Sequence, residues 1–543
     1  MTAPFPTSPQ SLTLQAMPPH ADIVLATLNA KFIHSAFGLR YLLANLEELQ
    51  PRATLLEGDI TTRPLDFAER VLAKKPSIVG FGVYIWNIAQ TTSVVHAIKR
   101  IRPDVVVVLG GPEVSYENEN LPIVQAADYV ICGEGEIAFR TLCRQLLAGD
   151  RPAGKIITPP VPDFDELRLP YDLYTDADIA HRVIYVEASR GCPFSCEFCL
   201  SSRDIPVRQA PLPQFLSALE TLLDRRVTQL KFVDRTFNLN IPVSLQILQF
   251  LRQRHRPGCL FHFEVVPDRL PPELLNEIAQ FPPGALQLEA GVQTFNPEVA
   301  GRISRRQNYE RLEENLTFLR NHTEAHIHAD LIAGLPGESP ESFASGFDRL
   351  LALRPHEIQV GILKRLRGTP IARHNDEWQM VYSPDAPYEI LQNKLLTFDD
   401  TQRLRRFARH WDLVFNSGNF VETAPLIWSA PGQNARSPAP SPFQAFQAWS
   451  TWLHRQIGRT DSIALLRLMH LLHTYLVQSG HDARQVAERL WRDYQRGGRR
   501  EKPEFLRGYA LSEPISARTA APGLPKRQRK HGKTAPLAPP APE

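Results

Sequence analysis

Three thiols stand within eight positions at Cys192, Cys196 and Cys199, in the string CPFSCEFC, and their Cys-x3-Cys-x2-Cys spacing puts all three on one short loop. Thiolates so spaced can hold three irons of a [4Fe–4S] cluster and leave the fourth iron open to a ligand that is not protein. An open iron is a place where a reaction can begin. Zinc is a competing use of the same residues, but a structural zinc site takes four ligands, and no fourth Cys or His follows at a matching short spacing. Packing cysteines are the other alternative, since free Cys is commonly buried. Gly191, Pro193 and the aromatics Phe194 and Phe198 speak instead for a shaped loop. Cys132, Cys143 and Cys259 are isolated and are expected in the core.

The elements that must position this loop are βα units. From Val183 to about Lys364 six strand-like runs recur, VIYVEAS, VTQLKFVD, LFHFEVVP, ALQLEAGVQ, HIHADLIAGLP and EIQVGILK, with amphipathic helical patterns between them. Such repetition predicts an α/β partial (β/α)6 barrel of the TIM type, with its site at the carboxyl ends of the strands. Upstream, IVLATLN, SIVGFGVYI, VVVVLGG and YVICGEGE alternate with longer amphipathic runs, which predicts a Rossmann-like parallel sheet over residues 21–165. The Pro-rich stretch PPVPDFDELRLPYDLY reads as a separator, with a linker over 166–180, the barrel over 181–375 and a helical C-terminal domain over 376–511. Within that helical part, ILQNKLLTFDDTQRLRRFARHWDLVF reads as one long amphipathic run, and SAPGQNARSPAPSP as an internal linker. Residues 1–20 and 512–543 are rich in Pro with Ser, Thr or Ala and are expected to be disordered, the basic cluster Lys526, Arg527, Arg529 and Lys530 being solvated.

Composition narrows the function classes. A chain of 543 residues suggests three or four domains. Its 61 basic and 58 acidic residues give a net charge of +3, which makes no general case for nucleic acid as a partner. No apolar run reaches the roughly 20 residues of a membrane span, and MTAPFPTSPQ lacks the charged and apolar regions of a secretory leader. A cytoplasmic protein with reduced thiols and no membrane partner is expected.

Carried by the cysteine string with Phe198 before its last thiol, the chain resembles the radical S-adenosylmethionine enzymes, and within them the cobalamin-binding subgroup, over roughly Asp22 to Thr369. The resemblance implies a cluster whose open iron chelates S-adenosylmethionine, for reductive cleavage to methionine and a 5′-deoxyadenosyl radical. It implies that Phe198 lies near the adenine, that Asp234 in FVDRTFN helps hold the methionine amino group, and that Glu289 and Gln293 in EAGVQT neighbour the ribose and carboxylate. Ile332 and Gly334 in DLIAGLPGE resemble the strand whose backbone meets the adenine. For Asp234 and Glu289, a salt bridge to Arg235 or Arg302 is the alternative.

The N-terminal region resembles the subgroup's cobalamin-binding domain through LNAKFIHSAFG, GVYIWN, GGPEVS and GEGE in that order. The implied contacts are Asn29, Lys31, His34 and Ser35 in the first motif and Tyr84, Trp86 and Asn87 in the second. Gly110, Gly111, Pro112 and Glu113 follow in the third, and Gly133, Glu134, Gly135 and Glu136 in the fourth. The family's Asp-x-His-x-x-Gly motif is not met, since Phe32 stands two before His34 and Gly38 comes one residue late. A base-off cobalamin without a histidine ligand is therefore expected.

Together the cofactors imply methyl transfer to an unactivated carbon of an unknown small molecule or peptide, with a flavodoxin or ferredoxin as electron donor. Radical cyclisation or rearrangement is the alternative within the family. A tRNA methylthiotransferase would need a second cysteine set, for which the N-terminal region offers only Cys132 and Cys143. A non-enzymatic cofactor carrier is the remaining reading. The C-terminal helical part resembles an uncharacterised domain attached to a branch of these proteins, and packing against the barrel is its expected role.

Overall fold

The computed structural model describes residues 20–203, 206–429, 441–512 and 526–531. Most of the two Pro-rich ends and of the SAPGQNARSPAPSP linker lie outside these residues. The chain forms two compact units, residues 1–174 and 175–543.

In the first unit, β1 (Ile23–Asn29), α1 (Phe37–Ala44), β2 (Ala53–Asp59), α2 (Pro64–Leu72), β3 (Ile78–Gly82) and α3 (Ile88–Ile101) come first. They are followed by β4 (Val106–Gly110), α4 (Pro122–Ala126), β5 (Tyr129–Ile131), α5 (Glu136–Leu147) and β6 (Ile156–Ile157). All neighbours in the sheet are parallel, in the order β2-β1-β3-β4-β5-β6. Every residue of β1 and of β3 is buried, as strands covered on both faces require. The edge strand β2 escaped the sequence pattern because ATLLEGD alternates buried with half-buried positions and ends in polar residues. The strand order reverses between β1 and β3, so the loops leaving these two strands flank a switch point, where open α/β sheets bind ligands.

The division between the units falls inside the stretch 166–180 expected as a linker, but its first part is packed. Phe164, Tyr171 and Tyr174 are buried. The Asn45 side chain donates to Arg168 O at 3.0 Å and accepts from Arg168 N at 2.9 Å. The aromatics of the Pro-rich stretch thus pack onto the first unit up to Tyr174, and Thr175 caps α6 (Asp176–His181) at the start of the second.

The second unit opens with β7 (Ile184–Val186), the short pair β8 (Ser189–Arg190) and β9 (Arg208–Gln209), α7 (Leu212–Asp224), β10 (Gln229–Phe232), α8 (Ile241–Gln253), β11 (Leu260–Val265) and α9 (Pro272–Ile278). It continues with β12 (Leu286–Gln293), α10 (Pro297–Arg302), α11 (Tyr309–His322), β13 (His326–Ala333), α12 (Pro340–Ala352) and β14 (Glu357–Ile362). The long strands form a parallel six-stranded sheet in chain order, β7-β10-β11-β12-β13-β14. In β12 buried and half-buried residues alternate along LQLEAGVQ, so Leu286, Leu288 and Ala290 pack outward under helices while Gln287, Glu289 and Gly291 face the other side. The same alternation puts Lys231, His262, Glu264, His328 and Asp330 on that polar face.

After β14 the structure departs from the expected helix. Val381–Tyr382 (β15) pairs antiparallel with Ile390–Gln392 (β16), and α13 (Phe398–Trp411) begins only after a capping box at Thr397. The Asn393 carboxamide oxygen accepts the N–H groups of Leu395 and Leu396, both at 2.9 Å, a local turn that competes with helix. Helices α14 (Pro442–Ile457), α15 (Leu465–Gln478) and α16 (Ala483–Arg496) follow. They belong to the same compact unit as the barrel: Phe347 of α12 meets Phe407, Trp411 and Phe443 edge to face. Asn416 exchanges hydrogen bonds of 2.9 Å with both backbone groups of Ile358, closing the exposed edge of β14.

The tail is also corrected in part. Lys526–His531 is a helix, α17, with Arg527 bonding Glu357 at 2.8 Å and Asp412 at 3.0 Å. Its charge is paired because Glu357, buried at the start of β14, offers an acceptor that no local sequence pattern reveals.

Candidate functional site

β7 ends at Val186 and the chain turns directly into the cysteine loop. Cys192 and Cys196 are buried and Cys199 half-buried, and the three thiols line one cavity of about 210 Å³ together with Phe194 and Phe198. Among the described residues no three Cys, His, Asp or Glu are placed to hold a single metal ion. Thiols spread round a cavity fit a larger group in which each sulfur bonds a different iron. Arg305 Nη1 donates to Cys196 Sγ at 3.6 Å. Burial pushes the Cys196 thiol up and the Arg305 guanidinium opposes that shift.

The loop is held by Glu197, which lies between the second and third cysteines and is buried. Its carboxylate accepts from Ser304 Oγ at 2.7 Å, from His374 Nε2 at 2.8 Å and from Arg373. Its backbone donates to Ile303 O at 3.1 Å and accepts from Ile371 N at 3.0 Å. Sequence reasoning missed this residue, whose partners are far along the chain.

Of the residues predicted to meet S-adenosylmethionine, Phe198, Glu289 and Gln293 are on the cavity wall. Gln293 has φ +72°, where the register of β12 and β13 shifts, and this bulge aims it at the cavity. Burial alone would raise Glu289. The His262 Nε2 bond at 2.9 Å and the Lys231 ammonium at 3.3 Å hold it well below the usual carboxylate range. Its partners are therefore neither Arg235 nor Arg302.

Asp234 is buried off this wall. Its Oδ1 accepts Ser189 Oγ at 2.6 Å and its Oδ2 accepts Ala188 N at 3.0 Å, while burial pushes it up to about 7. It braces the entry to the cysteine loop. The arginine proposed as its partner, Arg235, lies 3.5 Å from Glu264 instead. Ile332 packs with Phe198 against an apolar cluster that includes Leu335, Leu363 and Ile390. Gly334, at φ +94°, leaves no room for a side chain, because a Cβ there would lie 2.6 Å from Ile390 Cγ2.

Sequence reasoning named Arg235 only as a salt-bridge partner and passed over Glu264, Arg305 and Asp330; all four are on the cavity wall. Position parity along β11 and β13 was the available signal, since each carboxylate shares the polar face with Glu289. Burial raises Glu264 and Asp330, and the neighbouring Arg235 and His328 oppose this.

In the first unit the predicted motifs lie at the carboxyl ends of β1, β3, β4 and β5. Asn29 donates to His34 O at 2.9 Å and to Glu57 Oε1 at 3.0 Å, and Glu57 pairs with buried Arg40 at 2.9 Å. Ser35 is buried in the same loop, whereas Lys31, Phe32 and Ile33 are exposed and His34 is half-buried. Tyr84 and Trp86 stack with centroids 4.5 Å apart, Trp86 being 43% exposed. An apolar platform of this kind at a sheet edge fits a large flat ring.

Asn87, expected beside the corrin, is fully buried. Its Nδ2 donates to Thr27 Oγ1, Leu28 O and Gly82 O at 3.0–3.1 Å and its Oδ1 accepts Tyr84 N at 2.8 Å. It ties the β1 and β3 loops together. Gly111, at φ +105°, would place a Cβ 2.5 Å from Val83 O, so only glycine fits. Gly110 ends β4, Pro112 is exposed and Glu113 buried. Gly133 is exposed and its N–H donates to Ser115 Oγ at 3.0 Å; Glu134 is half-buried, and Gly135 caps α5, whose first residue, Glu136, is buried.

Comparison with known proteins gives these sites a context. Residues 23–143 match the B12 binding domain, residues 186–350 the radical SAM superfamily, and residues 376–516 a family of unknown function, DUF4080. The 2-(S-pantetheinyl)-carbapenam-3-carboxylate methyltransferase of Streptantibioticus cattleyicolor is 27% identical over 330 residues, 53% of this chain and 47% of that one. The cobalamin-dependent radical SAM methyltransferase TokK of Streptomyces tokunonensis is 26% identical with the same coverage. The chain thus spans about half the length of these relatives. The structure of TsrM from Kitasatospora setae, a radical S-adenosylmethionine methyltransferase with cobalamin and a [4Fe–4S] cluster, shares the fold, with a TM-score of 0.54 at 16% identity over 72% of this chain and 86% of that one. With the thiols gathered at the end of a parallel βα sheet, the chain thus joins, in this order, a segment matching the B12 binding domain, one matching the radical SAM superfamily and one matching DUF4080.

Proposed function

We propose that this protein is a cobalamin-dependent radical S-adenosylmethionine enzyme that transfers a methyl group to an unactivated carbon of a small molecule or peptide. One observation carries the reading: the cysteine loop opens on a polar cavity at the carboxyl end of the six-stranded sheet, in a chain whose first unit is a B12 binding domain. When bound, the cofactors supply reductive cleavage of S-adenosylmethionine and a transferable methyl group. Cys192, Cys196 and Cys199 would hold the cluster. On the cavity wall, the paired carboxylates and guanidinium groups of Glu264, Glu289, Arg235 and Arg305 suit a zwitterionic, hydroxyl-bearing ligand, and Phe198 gives it an apolar side. Asp234 and Glu197 fix the loop that presents the thiols.

In the first unit, Tyr84, Trp86 and Gly111 suit a base-off corrin whose cobalt takes no histidine, the role of His34 being to close the β1 loop through its carbonyl. A flavodoxin or ferredoxin in the cytoplasm is the proposed electron source. The likeness of the matched relatives, which are named as methyltransferases, favours methyl transfer over cyclisation.

The test is anaerobic reconstitution with iron, sulfide and hydroxocobalamin, followed by assay for 5′-deoxyadenosine and S-adenosylhomocysteine after addition of S-adenosylmethionine and a reductant. Both products are expected. Absence of deoxyadenosine with the cluster intact would overturn the enzyme reading, and deoxyadenosine without S-adenosylhomocysteine would replace methyl transfer by rearrangement.

A further inference from the structure

At the opposite end of the six-stranded sheet, where β13 and β14 begin, two hydrogen-bond donors meet with no acceptor between them. His356 Nδ1 accepts the N–H of Ile327 at 3.0 Å, so the neutral ring carries its proton on Nε2. That Nε2 lies 3.2 Å from Arg320 Nη1, and a guanidinium nitrogen can only donate. Doubly protonating the ring does not help, because Nδ1 would then lose Ile327. Burial and the neighbouring His326, Arg320 and His531 also drive His356 well below its ordinary value.

Arg320 has a second unmet need. Its Nε is buried and bonds to nothing, and among the described residues no carboxylate oxygen bonds to this side chain. Arg354 adds a further positive charge nearby, and Glu324 favours the Arg320 charge without bonding it. A buried donor left without an acceptor is destabilising, so two at one place call for a ligand that accepts.

Both side chains line a cavity of about 280 Å³, walled by Arg320, Glu324, His326 and His356 and, from α17, by Gln528 and His531. The other histidines are already committed: His326 Nε2 donates to Glu357 Oε1 at 2.8 Å and His531 Nε2 donates to Asn416 O at 3.0 Å. A water occupies roughly 30 Å³, so the cavity holds a tetrahedral or planar oxyanion with solvent to spare. Charge-assisted bonds from guanidinium to such oxygens are among the stronger ones proteins make.

We infer that this cavity, at the far end of the barrel from the cysteines, binds a small oxyanion between Arg320 and the Nε2–H of His356. The site is independent of the cofactor chemistry. Because α17 supplies part of its wall, occupancy also favours docking of that helix.

Thermal unfolding of the full chain, with inorganic phosphate titrated against chloride at matched ionic strength, tests this. Phosphate stabilises many proteins without binding, by exclusion from their surfaces, so the comparison is between wild type and variant. Wild type should show a saturable rise in Tm, and Arg320→Gln should weaken the apparent Kd about tenfold or more. Acetate and sulfate in place of phosphate separate a carboxylate site from a tetrahedral one. Should Arg320→Gln fail to fold, His356→Phe, which removes the second donor, serves the same comparison. A crystal grown in phosphate should show the ion between Arg320 and His356. The inference falls if wild type and variants respond alike, or if that crystal shows only a bridging water.

Discussion

His374 Nε2 lies 2.8 Å from Glu197 Oε2, joining the cysteine loop to a residue 177 positions further along the chain. His374 stands beyond the residues that match the radical SAM superfamily, in the segment leading to β15. The shape of the loop therefore depends on chain outside the matched barrel. Glu197→Ala leaves a buried histidine and the Ser304 hydroxyl without their acceptor, and breaking a buried pair costs about 3 kcal/mol or more. Chemical denaturation of the cluster-free protein should register that loss, and iron uptake on reconstitution should fall. A variant as stable as wild type with full iron would show that Glu197 does not hold the loop.

The ligand assignment is checked by paired substitutions. Cys196→Ala should abolish the charge-transfer absorbance of the reconstituted protein. Cys259→Ala, which changes a buried thiol at the start of β11 away from the cavity wall, should retain it. Full iron in the first variant would refute the assignment.

Glu338 gives the protein a pH-dependent stability. Burial pushes its carboxyl up to about 7, against the Thr294 Oγ1 bond at 2.5 Å, and its Oε2 is buried without a partner. A carboxyl raised in the folded state is protonated there while the unfolded chain has ionised, so stability falls as pH rises from about 4.5 to about 7. A shift of that size corresponds to about 3 kcal/mol. Glu338→Gln should remove this slope: the difference in Tm between variant and wild type should grow in the variant's favour from pH 5 to pH 7.5. A pH-independent difference would mean that Glu338 does not titrate in this range.

For the first unit, Asn87→Ala removes four hydrogen bonds, two within the β3 loop and two that tie it to Thr27 and Leu28 of β1. At roughly 0.5–1.5 kcal/mol each, a loss of about 3 kcal/mol is expected. Hydroxocobalamin should then be lost on gel filtration.

His34→Ala should behave in the opposite way. The side chain is half-buried, and the bond that closes its loop uses the backbone carbonyl, which alanine keeps. Cobalamin retention should be unchanged, and the electron paramagnetic resonance spectrum of the reduced cobalt should show no nitrogen splitting in either protein. Nitrogen splitting in wild type that disappears in the variant would identify His34 as a ligand.

What the sequence by itself determined here is local. The spacing of Cys192, Cys196 and Cys199 places three thiols on one loop because the first and last are only seven residues apart. The runs of Val, Ile and Leu between amphipathic segments specify parallel strands, since a strand covered on both faces must be apolar throughout. Tertiary structure decided which polar residues serve a ligand and which serve the scaffold. Asp234 and Asn87 were legible as strand-end polar residues, but each spends its hydrogen-bonding atoms on the surrounding scaffold, Asp234 on Ala188 N and Ser189 Oγ and Asn87 on Thr27, Leu28, Gly82 and Tyr84. Gly334 was legible as a motif glycine, but the contact that requires it comes from Ile390 on a hairpin that sequence periodicity assigned to a helix. Glu264, Asp330, Arg305 and the Glu197–His374 pair carry no short signature. Their roles come from register and from contacts between distant segments, and such long-range juxtapositions are set by how strands and helices pack, not by any window of sequence.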